Sequence, residues 1–372
     1  MKAPPASGID IASVSHGGIV EFFATVLPEP ESGLSSPLQR VSERLRDEGA
    51  ELLEVRVFGT LAAAPVTETE LSRTFGPVDW PVTWVEGADC SGGEVAGIQI
   101  HAVRGAPVRT LALGDTPVGR VFEDAHARHL VLGNVQPPQA GQDPRAQAAA
   151  AFRRMEEALA LGDMDLHHVV RTWFFLDDIL GWYSGFNATR AALYQARGIG
   201  ERYLPASTGI GGKNTRGTAM AACLRAMQPK GKSASVRAIP SPLQCAALAY
   251  GSSFSRAAEA TTPDLRAILV SGTASIDSQG NTMHIGDVEA QVGRTFEVVE
   301  AILESRGVGF RNVIRANAYF KRPGDATALP PFLDRHGLPP SRVIVSRNDV
   351  CRDALLFELE LEAVTGDAAR GD

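Results

Sequence analysis

The sequence predicts an α+β fold: three fused sheet-plus-helix units that close on themselves as a one-chain pseudo-trimer. Three observations predict it. The 372 residues amount to about two or three domains' worth of chain. The order strand, helix, strand and then two further strands runs through the C-terminal part and again through the middle. Both runs end on an x-Ala-apolar triplet, Arg225-Ala226-Met227 and Glu362-Ala363-Val364.

The N-terminal stretch reads as a worn copy. Ile19–Leu27 is its opening strand, Pro37–Gly49 resembles the end of a helix, and Leu52–Phe58 and Val95–Val103 are later strands. In the middle copy His129–Val135 is a strand, Arg145–Leu161 an Ala-rich helix, His168–Asp177 a strand and Gly185–Gln195 a polar helix. Pro205–Gly212 and Thr218–Met227 close it. In the last copy Ala267–Asp277 is a β-branched strand run ended by turn residues. From Val288 to Arg306, Val292, Phe296, Val299, Ile302 and Leu303 recur at helical spacing, and Gly307 is placed to end the helix. Asn312–Lys321, Arg342–Ser346 and Leu355–Val364 read as strands. The expected units are residues 1–120, 121–240 and 241–372, the first degenerate. Lys/Ser/Pro-rich Gln228–Ser241 reads as a linker, and Thr365–Asp372 as a disordered tail.

Composition narrows the function. The net charge of −7 lacks the basic footprint of a general nucleic-acid binder. The four cysteines are scattered without CxxC spacing or close His pairing, against a zinc or iron–sulfur site and against a disulfide framework. No apolar run of about 18 residues spans a membrane, and no signal peptide is visible. The expectation is a cytoplasmic protein without membrane or nucleic-acid partners.

Nucleotide-binding and hydrolase motifs fail on inspection. Gly209–Thr215 lacks P-loop spacing, and neither G-x-S-x-G nor H-E-x-x-H occurs. The closing strand says more. Phe357, Leu359 and Leu361 alternate with Glu358, Glu360 and Glu362, so one face carries three carboxylates. The matching positions are Ala221, Cys223 and Arg225 in the second copy and Gly97, Gln99 and His101 in the first. Packed around a pseudo-threefold axis, the copies form three equivalent clefts, of which one holds a carboxylate pair. A charged, solvent-facing edge strand is the alternative. In PASTGIGG, Ser207, Thr208 and Gly209 offer hydroxyls and backbone N–H groups to an anion, or form a plain turn. Tyr183 and Arg190 share a helical face, which suits a carboxylate and equally a solvated helix.

The order SGTASID, AILESRG, RANAYFK and ELELEAV resembles the Rid/YjgF fold, whose members are normally homotrimers with sites at subunit junctions. The longer set RTWFFLDDILGWYSGFNATR, YLPASTGIGG, VSGTASID, RANAYFK and VCRDALLFELELEA, spanning about Val121 to Val364, resembles the chorismatases. The resemblance implies removal of the enolpyruvyl group of chorismate as pyruvate, leaving a dihydroxycyclohexadiene carboxylate or a hydroxybenzoate, with a slight preference for 3-hydroxybenzoate. It implies no metal or organic cofactor, and a monomer that supplies its own subunit junctions. Protonating an enol ether needs a carboxylic acid with a raised pKa. Glu358 is the expected acid and Glu360 the alternative. Tyr183, Arg190, Ser207, Thr208, Gly209 and Arg315 are expected to bind the substrate, and Ala274 and Cys351 to face its ring. One departure stands out. The arginine that follows Pro-x on the fifth strand of Rid deaminases is replaced by Ser207 in the second copy and Ser341 in the third, with Arg342 one place on. An imine or enamine hydrolase of the Rid type, and a non-catalytic small-acid binder, are the competing readings.

Overall fold

The computed structural model describes residues 8–366 and the backbone of residues 368–370. Its elements fall into three runs. The first holds β1 (Gly8–His16), β2 (Ile19–Leu27), α1 (Ser35–Asp47), β3 (Glu51–Gly59), α2 (Ala64–Phe75), β4 (Val82–Glu86) and β5 (Val95–Arg104). The second holds β6 (Arg109–Leu113), β7 (Thr116–Glu123), β8 (Ala127–Val135), α3 (Pro144–Leu161), β9 (Val169–Leu176), α4 (Ile179–Ala196), β10 (Ala206–Gly211) and β11 (Met220–Pro229). The third holds β12 (Ser235–Ile239), β13 (Ala257–Thr261), β14 (Leu265–Thr273), α5 (Val288–Glu304), β15 (Val313–Phe320), α6 (Pro330–His336), β16 (Val343–Arg347) and β17 (Phe357–Gly366), with β18 (Ala368–Arg370) after it.

Each run builds one sheet, the first completed to six strands by β18 from the end of the chain, and the three sheets share one topology. The orders are β18-β1-β2-β5-β3-β4, β6-β7-β8-β11-β9-β10 and β12-β13-β14-β17-β15-β16. In each, one edge pair is parallel, β3–β4, β9–β10 and β15–β16. All other pairings are antiparallel. The sheets divide the chain near residues 105–108 and 230–234, earlier than the sequence placed the divisions, because β6–β7 and β12 belong to the sheets that follow them. The stretch read as a linker therefore contains a strand, Ser235–Ile239. The stretch read as a tail also differs. Thr365 and Gly366 complete β17, and β18 pairs with β1; residues 367, 371 and 372 lie outside the described residues.

Helices cover one face of every sheet. On α5, Val292, Phe296, Val299, Ile302 and Leu303 are all fully buried against β14, β15 and β17. Truncating one of them, Phe296 to Ala, would cost about 3–5 kcal/mol. Asp143 and Asp287 cap α3 and α5 by accepting from the third backbone N–H, so equivalent helices start alike. The opposite faces of the three sheets turn toward one another. There Leu27, Phe58, Trp173, Phe175, Ile210, Tyr319, Ile344 and Leu355, drawn from all three units, form a shared apolar belt.

Each parallel edge strand packs on the next unit: β10 on β14, β16 on β2 and β5, and β4 on β8. These are the three junctions. Two are filled. A Cβ placed on Gly97 would lie 2.9 Å from Ile344 and 3.0 Å from Leu27. The Thr83 hydroxyl accepts from the Asn134 N–H at 2.8 Å and lies 3.2 Å from the Cys223 sulfur. The β10/β14 junction opens instead into a cavity of about 540 Å³.

Candidate active site

Strand register fixes which side chains are equivalent. Tyr319, Asn317 and Arg315 on β15 pair with Glu358, Glu360 and Glu362 on β17. Phe175, Trp173 and Arg171 pair with Ala221, Cys223 and Arg225. Phe58, Arg56 and Glu54 pair with Gly97, Gln99 and His101. The equivalences drawn from sequence along the closing strands are those seen here, and a carboxylate at the outermost position occurs only in β17.

The two inner glutamates differ in surroundings although they sit two residues apart on one face. Glu360 is buried and accepts from Arg171 Nη2 at 2.6 Å, Asn317 Nδ2 at 2.7 Å, Tyr319 OH at 2.8 Å and the Thr208 hydroxyl. Its oxygens are saturated, and it does not line the cavity. Glu358 does line it, and its carboxyl makes no hydrogen bond among the described residues. Burial, reinforced by the charge of Glu360, raises the Glu358 pKa to about 8, with Arg171 and Arg256 pulling only partly the other way. Gly272 makes the space for this carboxyl, because a Cβ there would stand 2.0 Å from Glu358 Oε1. The Gly272 N–H donates to Thr208 Oγ1 at 2.9 Å, which locks β14 to β10 across the junction.

Three arginines line the cavity, Arg190, Arg256 and Arg352; Arg352 donates to the Gly280 carbonyl at 2.7 Å. Arg190, on α4, is buried beneath Phe174, Phe186 and Phe254 and is oriented by Asn187 Oδ1 at 2.7 Å and Ser207 Oγ at 3.2 Å. Its Nε has no partner among the described residues. Arg256, just before β13, donates through Nε and Nη2 to the Cys245 carbonyl at 3.0 and 2.9 Å, and its guanidinium lies 5.7 Å from the Phe254 ring. Phe254 thus has two guanidinium groups within 6 Å of its ring. Burial pushes the Tyr183 phenol and the Cys351 thiol up, the thiol to about 12 with help from the Glu358 charge. Both are neutral at ordinary pH.

Of the residues expected at the site, Glu358, Tyr183, Arg190, Ser207, Gly209, Ala274 and Cys351 line the cavity. Thr208 and Glu360 stand behind it. Arg315 is a correction. It lies on the axis, with Nη2 2.8 Å from Glu362 and 3.7 Å from Glu54. A strand residue paired with Glu362 sits two pairs deeper than one paired with Glu358, so it cannot reach the cavity. Arg342 is equivalent to Ala206 by register and holds Asp10 of the first unit at 3.0 Å. Sequence reasoning missed Arg256, Tyr250, Ser252 and Phe254, which lie in and beside a short 3-10 turn at Ala247–Tyr250 that has no periodic signal.

Comparisons with known proteins agree with this architecture. The N-terminal family model of FkbO/Hyg5-like chorismatases matches residues 119–223. The 3-hydroxybenzoate synthase of Streptomyces hygroscopicus is 28% identical over 250 residues, covering 60% of this chain and 70% of that protein. Over these residues the chain resembles the chorismatases. A solved chorismatase covers 84% of the chain, and the chain covers 92% of it, with a TM-score of 0.63 at 19% identity, which shows the shared fold. A RutC family protein of Pyrococcus abyssi is 28% identical over 99 residues, 26% of this chain and 76% of its own length. The chorismatase likeness thus spans most of the three-sheet fold, and the RutC likeness spans about one of its units. Among the described residues no helix is long and apolar enough to cross a membrane.

Proposed function

We propose that the β10/β14 cavity binds chorismate and that Glu358 protonates its enol ether. The observation that carries this reading is a cavity-facing carboxyl with a pKa near 8 and no hydrogen bond among the described residues, beside a second carboxyl held by four donors. Glu358 gives its proton to the methylene carbon and the ether becomes an oxocarbenium ion. Arg190 and Arg256 hold the two substrate carboxylates, with the Tyr183 hydroxyl and the Gly209 backbone beside them. The ring C–O bond then breaks, pyruvate leaves with the ether oxygen as its carbonyl, the adjacent hydroxyl oxygen passes to the vacated ring carbon, and loss of a ring proton restores the aromatic ring. If the ring loses pyruvate with no net uptake of water, a hydroxybenzoate remains; hydrolysis would leave a dihydroxycyclohexadiene carboxylate.

We assign 3-hydroxybenzoate as the product. The name of the Streptomyces relative supports this, as do Ala274 and Cys351 in the cavity lining, where a small wall and a neutral thiol face the ring. The chain acts as a monomer, since it carries its own three junctions; sedimentation at working concentration tests that. For the reaction, purified protein is incubated with chorismate, pyruvate is followed, and the ring product is identified by chromatography. Release of pyruvate with 3-hydroxybenzoate is expected. Turnover of a 2-imino acid without pyruvate release from chorismate would point to the Rid-type hydrolase instead.

A further inference from the structure

Three pseudo-equivalent hairpin turns meet at one end of the molecule: those between β1 and β2, β7 and β8, and β13 and β14. The Gly17 N–H donates to Asp264 Oδ2 at 2.6 Å, and the Ala125 N–H to the Gly17 carbonyl at 2.9 Å. His16, the last residue of β1, points into this hub. So do Asp124, in the β7–β8 turn, and His129, on β8.

His16 Nδ1 lies 3.0 Å, and His129 Nε2 2.9 Å, from the same oxygen, Asp124 Oδ2. The three donor atoms fall within 4.8 Å of one another. The His16 and Asp124 side chains are fully buried and His129 is 15% exposed, so one ligand faces an entry path. The neighbours fix the orientation of each group. Asp124 Oδ1 is occupied by the His126 and Ala127 N–H groups at 2.6 Å each, which aims Oδ2 at the imidazoles. His16 Nε2 faces Glu21 Oε1 at 2.7 Å, and Glu21 Oε2 is taken by His101 Nε2 at 2.6 Å.

The tautomer of His16 that donates Nε2–H to Glu21 turns the Nδ1 lone pair toward Asp124 Oδ2. Two acceptors then face each other, and either a second proton on His16 or a bound cation stands between them. His129 Nε2 addresses the same oxygen. One divalent ion satisfies all three donors, whereas protons would have to number two. We propose that His16 Nδ1, Asp124 Oδ2 and His129 Nε2 form a binding site for one zinc-class divalent cation.

Two imidazoles and one carboxylate are borderline ligands that suit zinc, and three protein ligands leave a fourth position for water. His129 and Glu21 also line an axial cavity of about 90 Å³ with room for it. The Glu21–His16 contact is the carboxylate–histidine outer shell that metal-bound imidazoles use, and the two N–H groups on Asp124 do the same for the carboxylate. Bond lengths of about 2.0–2.2 Å require the donors to part by only a few tenths of an ångström. The ion would tie the first unit to the second, a junction other than the one holding the cavity. It is structural and outside the catalytic step. Cys/His spacing in the sequence could not show it, since residues 16 and 124 stand far apart in the chain.

The full chain, stripped with a chelator that is then removed, is titrated with zinc by calorimetry and with cobalt by visible absorption. Stoichiometric binding of one ion is expected, with four- or five-coordinate cobalt bands and a thermal midpoint that rises with free zinc. His129→Gln, at the partly exposed ligand, should stay folded, lose the cobalt bands and weaken zinc binding by more than about 100-fold, beyond what an outer-shell change costs. His168→Gln, on the turn at residues 166–168 and away from the site, should leave both unchanged. Absence of stoichiometric binding to the parent chain, or unchanged bands in His129→Gln, would overturn the site and leave a trio bridged by protons.

Discussion

Replacing Glu360 by Gln tests the proposed acid without touching it. Strand geometry puts the Cα atoms of residues 358 and 360 about 6–7 Å apart on one face. Taking that as the charge separation with an effective dielectric constant of about 20, the Glu360 carboxylate raises the cost of ionising Glu358 by about 2.5 kcal/mol, or about 1.8 pH units. Removing the charge should bring the Glu358 pKa from about 8 to about 6, and Arg171, released from Glu360, pulls in the same direction. At pH 7 the protonated fraction then falls about sixfold to eightfold, and kcat/KM should fall with it. Below about pH 5 the variant should recover most of that loss, because the acid is again protonated. Glu358→Gln has no proton to give and should lose about 10²–10⁴ in kcat at every pH. The assay is pyruvate release across about pH 4.5–9, with circular dichroism confirming the fold. If the alkaline limb stays put in folded Glu360→Gln, the coupling is wrong; if folded Glu358→Gln turns over normally, so is the acid.

Other outcomes follow from the same geometry. The raised pKa of Glu358 means the folded state holds its proton from about pH 4.5 to 8 while the unfolded chain does not, so this group lowers stability as pH rises through that window. Glu358→Gln should therefore gain up to about 3 kcal/mol at pH 7, with no gain below pH 4.5, measured by denaturant titration at both. Gly272→Ala puts a Cβ against the Glu358 carboxyl; it should keep the fold and lose about 10²-fold in kcat through displacement of the acid. Arg190→Ala removes a charged donor from the cavity and should raise KM about 10- to 100-fold, read from initial rates. Arg315→Met leaves Glu362 and Glu54 short of a cation and should cost about 3 kcal/mol on chemical unfolding, with KM unchanged in the folded protein.

Much of this site was legible because strand alternation is rigid. The run from Phe357 to Glu362 fixes which side chains share a face, and the two x-Ala-apolar triplets align the second and third closing strands to the residue. Periodicity does not report depth along a face, and for that reason Arg315 was placed in the cavity. It is also silent on segments without a repeat. Residues 245–256 wrap the cavity mouth through a 3-10 turn and supply Tyr250, Phe254 and Arg256. The edge strands β6 and β12 are short and carry exposed charge, so their patterns merged with turns. The difference between Glu358 and Glu360 depends on donors from β9, β10 and β15, which only the folded arrangement assembles.

The axis has a further consequence. At one depth the three units present Glu362, Arg225 and His101, and opposite them Arg315, Arg171 and Glu54. Arg225 reaches Glu362 at 2.8 Å and His101 at 3.2 Å, and Arg315 reaches Glu362 at 2.8 Å. Three identical chains could not build this. A homotrimer would set three glutamates, or three arginines, face to face on its own axis, and the like charges would repel in a dry interior. The axis therefore works as a keyed joint. It accepts the units only as three different neighbours, so a chain that misassembled with a second copy, seating two like units side by side, would meet matched charges where it needs opposite ones.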